Sequence, residues 1–176
     1  MKKVEHGKTF DRNAANPPAF EIFHNTVTEG YPEHWHTAIE IIMPTRGEYE
    51  VVVGKDSYNL KEGDIIMINS GVVHGMRFVS QGERIVMLVE PGCVENQEEM
   101  ETIFLRLPAI YFKKEDEEDP FYLFLRSQIL ELVREYDNQG AVMTHGICTG
   151  LKELFSEFGR KGFSDANAQN TFGAMK

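Results

Sequence analysis

The stretch HWHTAIEIIMPTRG at residues 34–47 contains three side chains of metal-ligand type, those of His34, His36 and Glu40. Side chains on a β-strand alternate between its two faces, so these three would point the same way if the stretch is one strand. Imidazole and carboxylate groups suit zinc, nickel, manganese or iron(II). The stretch GDIIMINSGVVH at residues 63–74 ends in a further histidine, which an antiparallel partner strand could place opposite the first three side chains. The sequence therefore predicts one cluster of four residues: His34, His36, Glu40 and His74.

The first half of the chain predicts a β-barrel. Over residues 19–90, short apolar stretches are separated by turn residues such as Arg46-Gly47. Strands at this density, with no helical period between them, indicate an antiparallel sandwich or barrel. On the strand that would carry the histidines, Trp35 and Met43 fall on the opposite face and are expected in the core.

The character of the sequence changes at the charged run KKEDEEDP, residues 113–120. Asp119 followed by Pro120 is typical of a helix start, because aspartate caps the first free backbone N–H groups and proline fits the first helical position. Apolar residues at helical spacing then predict a helix that ends at about Asp137.

A second helix should follow the short turn at residues 138–140 and run to about Phe158, with Gly159 as its stop. Two helices joined by so short a turn are expected to be antiparallel. Gly146 and Gly150 each cost helix propensity, so their presence four residues apart predicts a close contact between the two helices.

Four segments are expected: an N-terminal arm (1–18), the barrel with its following connection (19–112), a helical hairpin (119–159) and a tail (160–176). The formal net charge of −10 argues against direct DNA binding by this chain, because such binding depends on neutralising phosphates with lysine and arginine. The two cysteines, Cys93 and Cys148, lie far apart, which fits a reducing compartment better than a disulfide framework. Neither a signal-peptide core nor a membrane-spanning run is found, so a cytoplasmic protein without membrane contact is expected.

The two quoted stretches resemble the two motifs of the cupin fold. The first motif, HxHxxxExxxxxxG, is matched at His34, His36, Glu40 and Gly47, and the second, GxxxxxPxGxxH, is matched at Gly63, Gly71 and His74. Two positions depart from the pattern, because Asn69 stands where proline is preferred and Phe78 stands where asparagine is preferred. The resemblance implies a mainly β protein with a cupin double-stranded β-helix, or jelly-roll barrel, over about residues 19–92.

The order of barrel, connection and helix pair is similar to the N-terminal sensing and dimerisation domains of AraC-family transcription regulators, over about residues 20–158. This resemblance implies a small effector bound in the barrel and DNA contact only through a module not present in this chain. It also implies a homodimer formed through the helix pair, in which five apolar residues would be central: Leu125, Ile129, Leu132, Leu151 and Phe155.

The expected effector pocket is lined by the four-residue cluster together with aromatic and methionine side chains, namely Tyr49, Met67, Met76 and Phe78. The cluster itself has two interpretations that the sequence leaves open, either one divalent metal (zinc, nickel, manganese or iron) or a hydrogen-bonded group that orders the barrel. Three arginines are candidates for contact with an anionic ligand, although each taken singly is expected at the surface: Arg46, Arg77 and Arg84.

The main interpretation is a binding protein rather than an enzyme. The alternative is a stand-alone metal-dependent cupin enzyme of the dioxygenase or isomerase type, in which the same four residues hold the metal. The departures in the second motif, the apolar helix pair and the lack of a separate candidate for a general base argue against it. The effector, the metal, the target DNA and the direction of regulation are not specified by the sequence.

Overall fold

The computed structural model describes residues 19–26, 30–93, 108–114, 118–140 and 143–161. The predicted N-terminal arm and nearly all of the predicted tail lie outside the described residues. The division of the chain into four segments therefore stays a prediction.

Within those ranges the chain forms nine strands, one 3₁₀ turn and two helices. The strands are β1 (Phe20–Asn25), β2 (Tyr31–His34), β3 (Ile39–Arg46), β4 (Tyr49–Val53), β5 (Asp56–Leu60), β6 (Ile65–Ile68), β7 (His74–Phe78), β8 (Glu83–Val89) and β9 (Ala109–Phe112). The 3₁₀ turn spans Pro91–Cys93, and the helices are α1 (Pro120–Asn138) and α2 (Met143–Lys161). Neither helix is long and apolar enough to cross a membrane.

The strands form two antiparallel sheets that face each other. One sheet has five strands in the order β1-β8-β3-β6-β9, and the other has four in the order β2-β7-β4-β5. Apolar side chains from both sheets fill the space between them, among them Ile42 and Ile66 from the first sheet and Val51 and Leu60 from the second. The predicted fold class, a mainly β barrel followed by two helices, is confirmed.

The five-stranded sheet is buried on both faces, which explains why its central strands do not alternate between apolar and polar residues. On β3, Ile42 belongs to the barrel interior, whereas Ile41 and Met43 pack against the helices. Met67 on β6 also belongs to the helix-facing layer and is only 1% exposed. The structure therefore places Met67 on the opposite face of the sheet from the barrel interior, contrary to its predicted place in an effector pocket.

The helix pair begins and packs as its sequence predicts. The Asp119 carboxylate accepts a hydrogen bond from the backbone N–H of Phe121 at 2.8 Å, and Pro120 is the first helical residue. A Cβ added at Gly150 would lie 2.9 Å from a methyl carbon of Leu132, so the predicted close helix contact exists. The second helix differs from the prediction only at its end, since it continues past Gly159 to Lys161.

The apolar stripes of the two helices are buried by contacts within the chain. The five residues expected at the centre of a dimer are all 2% exposed or less, because they pack on the five-stranded sheet and on each other: Leu125, Ile129, Leu132, Leu151 and Phe155. They cannot form an interface with a second chain in this arrangement. On α1 the exposed apolar side chains are instead those of Leu123 and Leu130, which are 50% and 38% exposed.

Polar contacts fix the start of α1 to the edge of the barrel. The Tyr122 hydroxyl donates to the backbone carbonyl of Gly63 at 2.8 Å. The buried Asp64 carboxylate accepts from the Tyr111 hydroxyl at 2.7 Å and from the backbone N–H of Lys114 at 2.8 Å. Buried polar groups are stable only with such partners, so these bonds define where the helix pair meets the barrel.

Candidate metal and ligand site

The four predicted ligand-type residues come together in space. Their candidate ligand atoms all lie within 4.8 Å of one another, and His36, Glu40 and His74 are buried while His34 is half-buried. They do not share one strand as expected, because His34 ends β2, His36 lies in the connection that follows and Glu40 lies on β3. The predicted convergence is present, but its predicted cause, alternation along a single strand, is wrong.

The same connection changes the position of Trp35, which strand alternation placed in the core. Trp35 is 66% exposed, because the chain leaves the strand after His34 and regular alternation no longer applies. Met43, on the regular part of β3, is buried as predicted.

Strand pairing and one loop contact bring His74 to the other three residues. His34 and His74 are directly opposite each other in the pairing of β2 with β7. The loop before β7 is held against the histidine connection by a 2.7 Å hydrogen bond from the backbone N–H of Gly71 to the carbonyl of His36. Gly71 has a φ of +75°, which glycine adopts without the steric penalty of other residues.

Backbone carbonyls fix the orientation of all three imidazole rings. Each Nδ1 atom lies close to a backbone carbonyl oxygen. The distance is 3.0 Å from His34 to Pro32, 2.9 Å from His36 to Ala38 and 2.8 Å from His74 to Val72. A carbonyl oxygen can only accept, so each Nδ1 carries a hydrogen and donates it. In a neutral imidazole the lone pair is then on Nε2, the atom left available to a metal.

Two of these Nε2 atoms meet the same carboxylate oxygen. Oε2 of Glu40 lies 2.8 Å from Nε2 of His36 and 2.9 Å from Nε2 of His74. With Nδ1 already protonated, each contact requires either a second proton on the ring or a cation between the lone pairs. Ligands at about 2.1 Å from one ion and at right angles to each other are separated by about 3 Å, so this donor set fits a divalent metal.

The carboxyl group of Glu40 is ionised in this cluster. Burial alone would raise its pKa, but hydrogen bonds from His36 and His74 outweigh burial and lower the pKa of Glu40 to about 2. Burial would likewise lower the pKa of His74, but the hydrogen bond and charge of Glu40 raise it overall. For His34 burial dominates and lowers the pKa, which keeps this ring neutral and its lone pair available.

The remaining predicted ligand-binding residues occupy three different environments. Tyr49 and Met76 belong to the barrel interior, whereas Met67 lies in the helix-facing layer. Phe78, which pairs with Tyr49, is 42% exposed at the end of β7. Met76 and Phe78 also line a cavity of about 390 Å³ alongside β2 and β7, together with residues that include Tyr31.

Arg84 is a candidate site residue that the sequence did not distinguish from surface arginines. It is 3% exposed, and its Cζ atom lies 4.6 Å from the centre of the Tyr49 ring. Arg46 and Arg77 are exposed, as expected, and pair with Glu83 and Glu50. The residues of β8 that follow Arg84, 85–89, are apolar on both faces, so alternation gave no signal that Arg84 faces inward.

The glycines that match the two motifs have a clear backbone role. Gly47 and Gly63 have φ values of +79° and +87°. A Cβ at Gly47 would also lie 2.7 Å from the backbone oxygen of Gln81, so both the turn and the close approach require glycine. The departure at Asn69 has a structural reason too, because its backbone N–H donates to the carbonyl of Pro108 at 3.0 Å and proline has no such hydrogen.

Comparisons with known proteins identified one family model and several similar solved structures. Residues 25–90 match the family model of the Cupin domain. One similar solved structure is a conserved protein of unknown function from Streptococcus pyogenes, with 18% identity, a TM-score of 0.37, and 41% of this chain and 63% of that chain covered. Another is an oxalate decarboxylase with Mn(II) centres from Bacillus subtilis. It has 17% identity and a TM-score of 0.35, and the match covers 39% of this chain and 20% of that chain. No curated protein matches the sequence.

A third similar structure is that of an apo ToxT variant from Vibrio cholerae. It has 11% identity and a TM-score of 0.52, and the match covers 83% of this chain and 58% of that chain. The present chain therefore spans less than two thirds of each of these three structures. Residues 25–90 are thus similar to the Cupin domain family, and the chain has a cupin-like fold of antiparallel sheets that is followed by two helices.

Proposed function

We propose that this chain is the ligand-sensing and dimerisation domain of an AraC-type transcription regulator. A small effector binds in the barrel, and DNA is contacted through a module outside this chain. The observation that carries the proposal is the continuous apolar layer that joins the five-stranded sheet to both helices. A barrel that only performed catalysis would not need a helix pair packed over a whole face of the sheet.

The strand β3 supplies a physical connection between the candidate site and the helices. Glu40 belongs to the four-residue cluster, while its neighbours Ile39 and Ile41 pack in the helix-facing layer. Protein interiors are close-packed, so a shift of β3 on effector binding changes the position of the helices on the sheet. The effector alters the regulator only if it binds one arrangement of barrel and helices more tightly than the other.

The similarity to ToxT supports the proposal at the level of architecture. The nine strands lie within residues 20–112, which is little more than half of the chain. A match over 83% of the chain therefore extends beyond the barrel into the helix pair. The combination of barrel and helices, rather than the barrel alone, is what the two chains share.

One divalent metal held by His34, His36, Glu40 and His74 fits the proposal. When bound, it supplies a positive charge and open coordination positions for an oxygen of the effector. The residues contribute the orientation, because each ring is held by its Nδ1 hydrogen bond to the backbone. Glu40 contributes a negative charge that stays ionised across the physiological range, since its pKa is about 2.

The proposed homodimer has to use the outer face of the helix pair, because the inner apolar residues are buried. Leu123 and Leu130 are seven residues apart on α1 and are exposed on the same side of the helix. We place the interface on this side. Analytical ultracentrifugation at high micromolar concentration tests it, and a strict monomer would exclude the dimer.

Hydrogen–deuterium exchange tests the sensing function. A thermal-shift screen of sugars and organic acids first supplies a compound that stabilises the protein. The regulator proposal predicts that this compound protects both the barrel strands and the two helices, and that it is recovered chemically unchanged. Protection confined to the barrel, together with conversion of the compound to a product, would overturn the proposal.

The second candidate function is that of a metal-dependent cupin enzyme. It is favoured by one observation, the convergence of four donors whose Nε2 and carboxylate atoms face each other. Elemental analysis and turnover assays address it directly. One tightly held metal per chain with measurable turnover of an organic acid would favour the enzyme over the sensor.

A further inference from the structure

The guanidinium of Arg84 is buried without partners for two of its nitrogens. Arg84 is 3% exposed, and its Nε and Nη1 atoms have neither solvent contact nor a hydrogen bond. Burial lowers the pKa of Arg84 overall, while the Tyr49 hydroxyl and the Glu40 carboxylate act in the opposite direction. A buried charge with unsatisfied donors destabilises a folded chain, so this residue serves something other than the stability of the ligand-free barrel.

Arg84 faces the barrel interior, where it is stacked on an aromatic ring of the opposite sheet. Its neighbour Ile85 belongs to the helix-facing layer, so alternation along β8 directs Arg84 to the other face. The guanidinium lies over Tyr49, which is 1% exposed, and the Tyr49 hydroxyl acts to raise the pKa of Arg84 although the two groups do not form a hydrogen bond of good geometry. The stacked ring holds the guanidinium plane in place, while Nε and Nη1 are left without an acceptor.

The backbones of Arg84 and of Glu40 are separated along the same interior, although the charge of Glu40 still acts to raise the pKa of Arg84. Arg84 pairs with Pro44 across β8 and β3, four residues along β3 from Glu40. At roughly 3.3 Å per residue, this corresponds to about 13 Å along the strand. The apolar side chains of Ile42, Val51 and Met76 belong to this interior.

We propose that Arg84, stacked on Tyr49, binds the carboxylate of a small organic acid, with the apolar part of the acid lying along Ile42, Val51 and Met76. This inference rests on the proposed function, in which a small effector binds in the barrel. A carboxylate fits because an ionised acceptor forms strong hydrogen bonds with a guanidinium, and one of its oxygens can accept from Nε or from Nη1, the two nitrogens that lack an acceptor. A phosphate would bring up to two negative charges where the described interior offers one fixed cation.

The cavity alongside β2 and β7 lies on the outer face of the four-stranded sheet, because Val52 and Arg77 line it and alternate with Val51 and Met76 of the interior. The sheet therefore separates this cavity from Arg84, and an acid has to reach the interior by another route.

Thermal unfolding of the full chain after EDTA treatment tests the proposal, because the removal of metal excludes binding of an acid through a metal at the histidine cluster. The probes are benzoate and hexanoate, each compared with its neutral amide. The variants are Arg84→Met, which keeps length without charge, and Arg46→Met, which removes an exposed arginine as a matched control. At ten times its Kd, an acid should raise Tm by about 3 to 6 °C in the wild type and in Arg46→Met, and should have no effect in Arg84→Met.

The ligand-free variants provide a second readout. Arg84→Met should unfold at the same or a higher temperature than the wild type, because an unpaired buried charge has been replaced by an apolar side chain. A lower Tm for ligand-free Arg84→Met would indicate a structural role and overturn the proposal. The proposal would also be overturned if the amides stabilised the protein as much as the acids, or if Arg84→Met responded to the acids as the wild type does. In both cases the proposed binding of an effector in the barrel would still be supported. If neither these probes nor the sugars of the wider screen raise the Tm of the wild type, the role proposed for Arg84 and the proposed effector site are both refuted.

Discussion

Replacing Glu40 with glutamine should remove much of the acid sensitivity of the metal-free protein. The Glu40 carboxylate accepts hydrogen bonds from His36 and His74 in a buried position, and these bonds keep its pKa at about 2. In the unfolded chain the same group has an ordinary pKa of about 4.5. A carboxyl group whose pKa is lower in the folded state stabilises the fold above the unfolded pKa and loses that contribution as the pH falls.

The size of the effect follows from these two values. A shift from 4.5 to about 2 corresponds to about 3 kcal/mol at neutral pH, of which about 2 kcal/mol is lost by pH 3. The loss begins near pH 5 and is complete only below pH 2. The Glu40→Gln variant takes up no proton at this position, so its free energy of unfolding should change less over the same range, although it starts from a lower value at pH 6.

Urea unfolding followed by circular dichroism in the presence of EDTA, at intervals between pH 6 and pH 3, measures this difference. Glu83→Gln is the matched control, because Glu83 is exposed and forms an ion pair with the exposed Arg46. It should keep the wild-type dependence on pH. Parallel curves for wild type and Glu40→Gln would show that the buried carboxylate is not the source of the acid sensitivity, and the reasoning about the cluster would be refuted.

Four further predictions concern the metal, the thiols, the helix face and a tight turn. The wild type should bind Mn²⁺ or Zn²⁺ at one ion per chain in isothermal titration, and His74→Gln should weaken that binding at least about tenfold. The sulfurs of Cys93 and Cys148 are 3.4 Å apart, so diamide should join them into an intramolecular disulfide with a loss of 2 Da by mass spectrometry, and closing this loop should stabilise the fold by up to about 4 kcal/mol in denaturant titration. Leu130→Glu should shift a dimer to monomer in sedimentation velocity without lowering Tm, because the side chain is 38% exposed. Gly82→Ala should lower stability by more than about 2 kcal/mol, since its Cβ would lie 2.1 Å from the carbonyl oxygen of a neighbouring strand, and an unchanged urea midpoint would contradict that geometry.

The parts of the fold that local chemistry dictates were predictable from the sequence. Asp119 and Pro120 predict the start of α1, and the structure has the expected cap at that point. The motif glycines predict tight turns, and Gly47 and Gly71 adopt the positive φ values that such turns need. In each case the signal is a residue whose own backbone or side chain determines the local conformation.

The parts that depend on which face of a strand meets which layer were not predictable in the same way. Met67 was expected in the pocket but packs against the helices, because a strand buried on both faces has no polar side chains to mark its orientation. Trp35 was expected in the core but is exposed, because strand alternation stops at His34. The four-residue cluster nevertheless formed, since its assembly depends on the pairing of β2 with β7 and not on the regularity of one strand.

The buried polar groups of the interior differ in how well the protein satisfies them, and this difference separates structural groups from groups available to a ligand. Asp64 has hydrogen-bond donors from two other segments of the chain, which is the pattern of a group that fixes the fold. The Nε2 atoms of His36 and His74 share a single carboxylate oxygen, and Arg84 has two nitrogens without any acceptor. Because an unsatisfied buried polar group costs stability, we interpret the retention of these groups in one apolar interior as provision for a polar ligand, in line with the proposed function. A metal at the histidine cluster and a carboxylate at Arg84 would satisfy these groups, and the strand that carries Glu40 would pass the resulting shift to the helices.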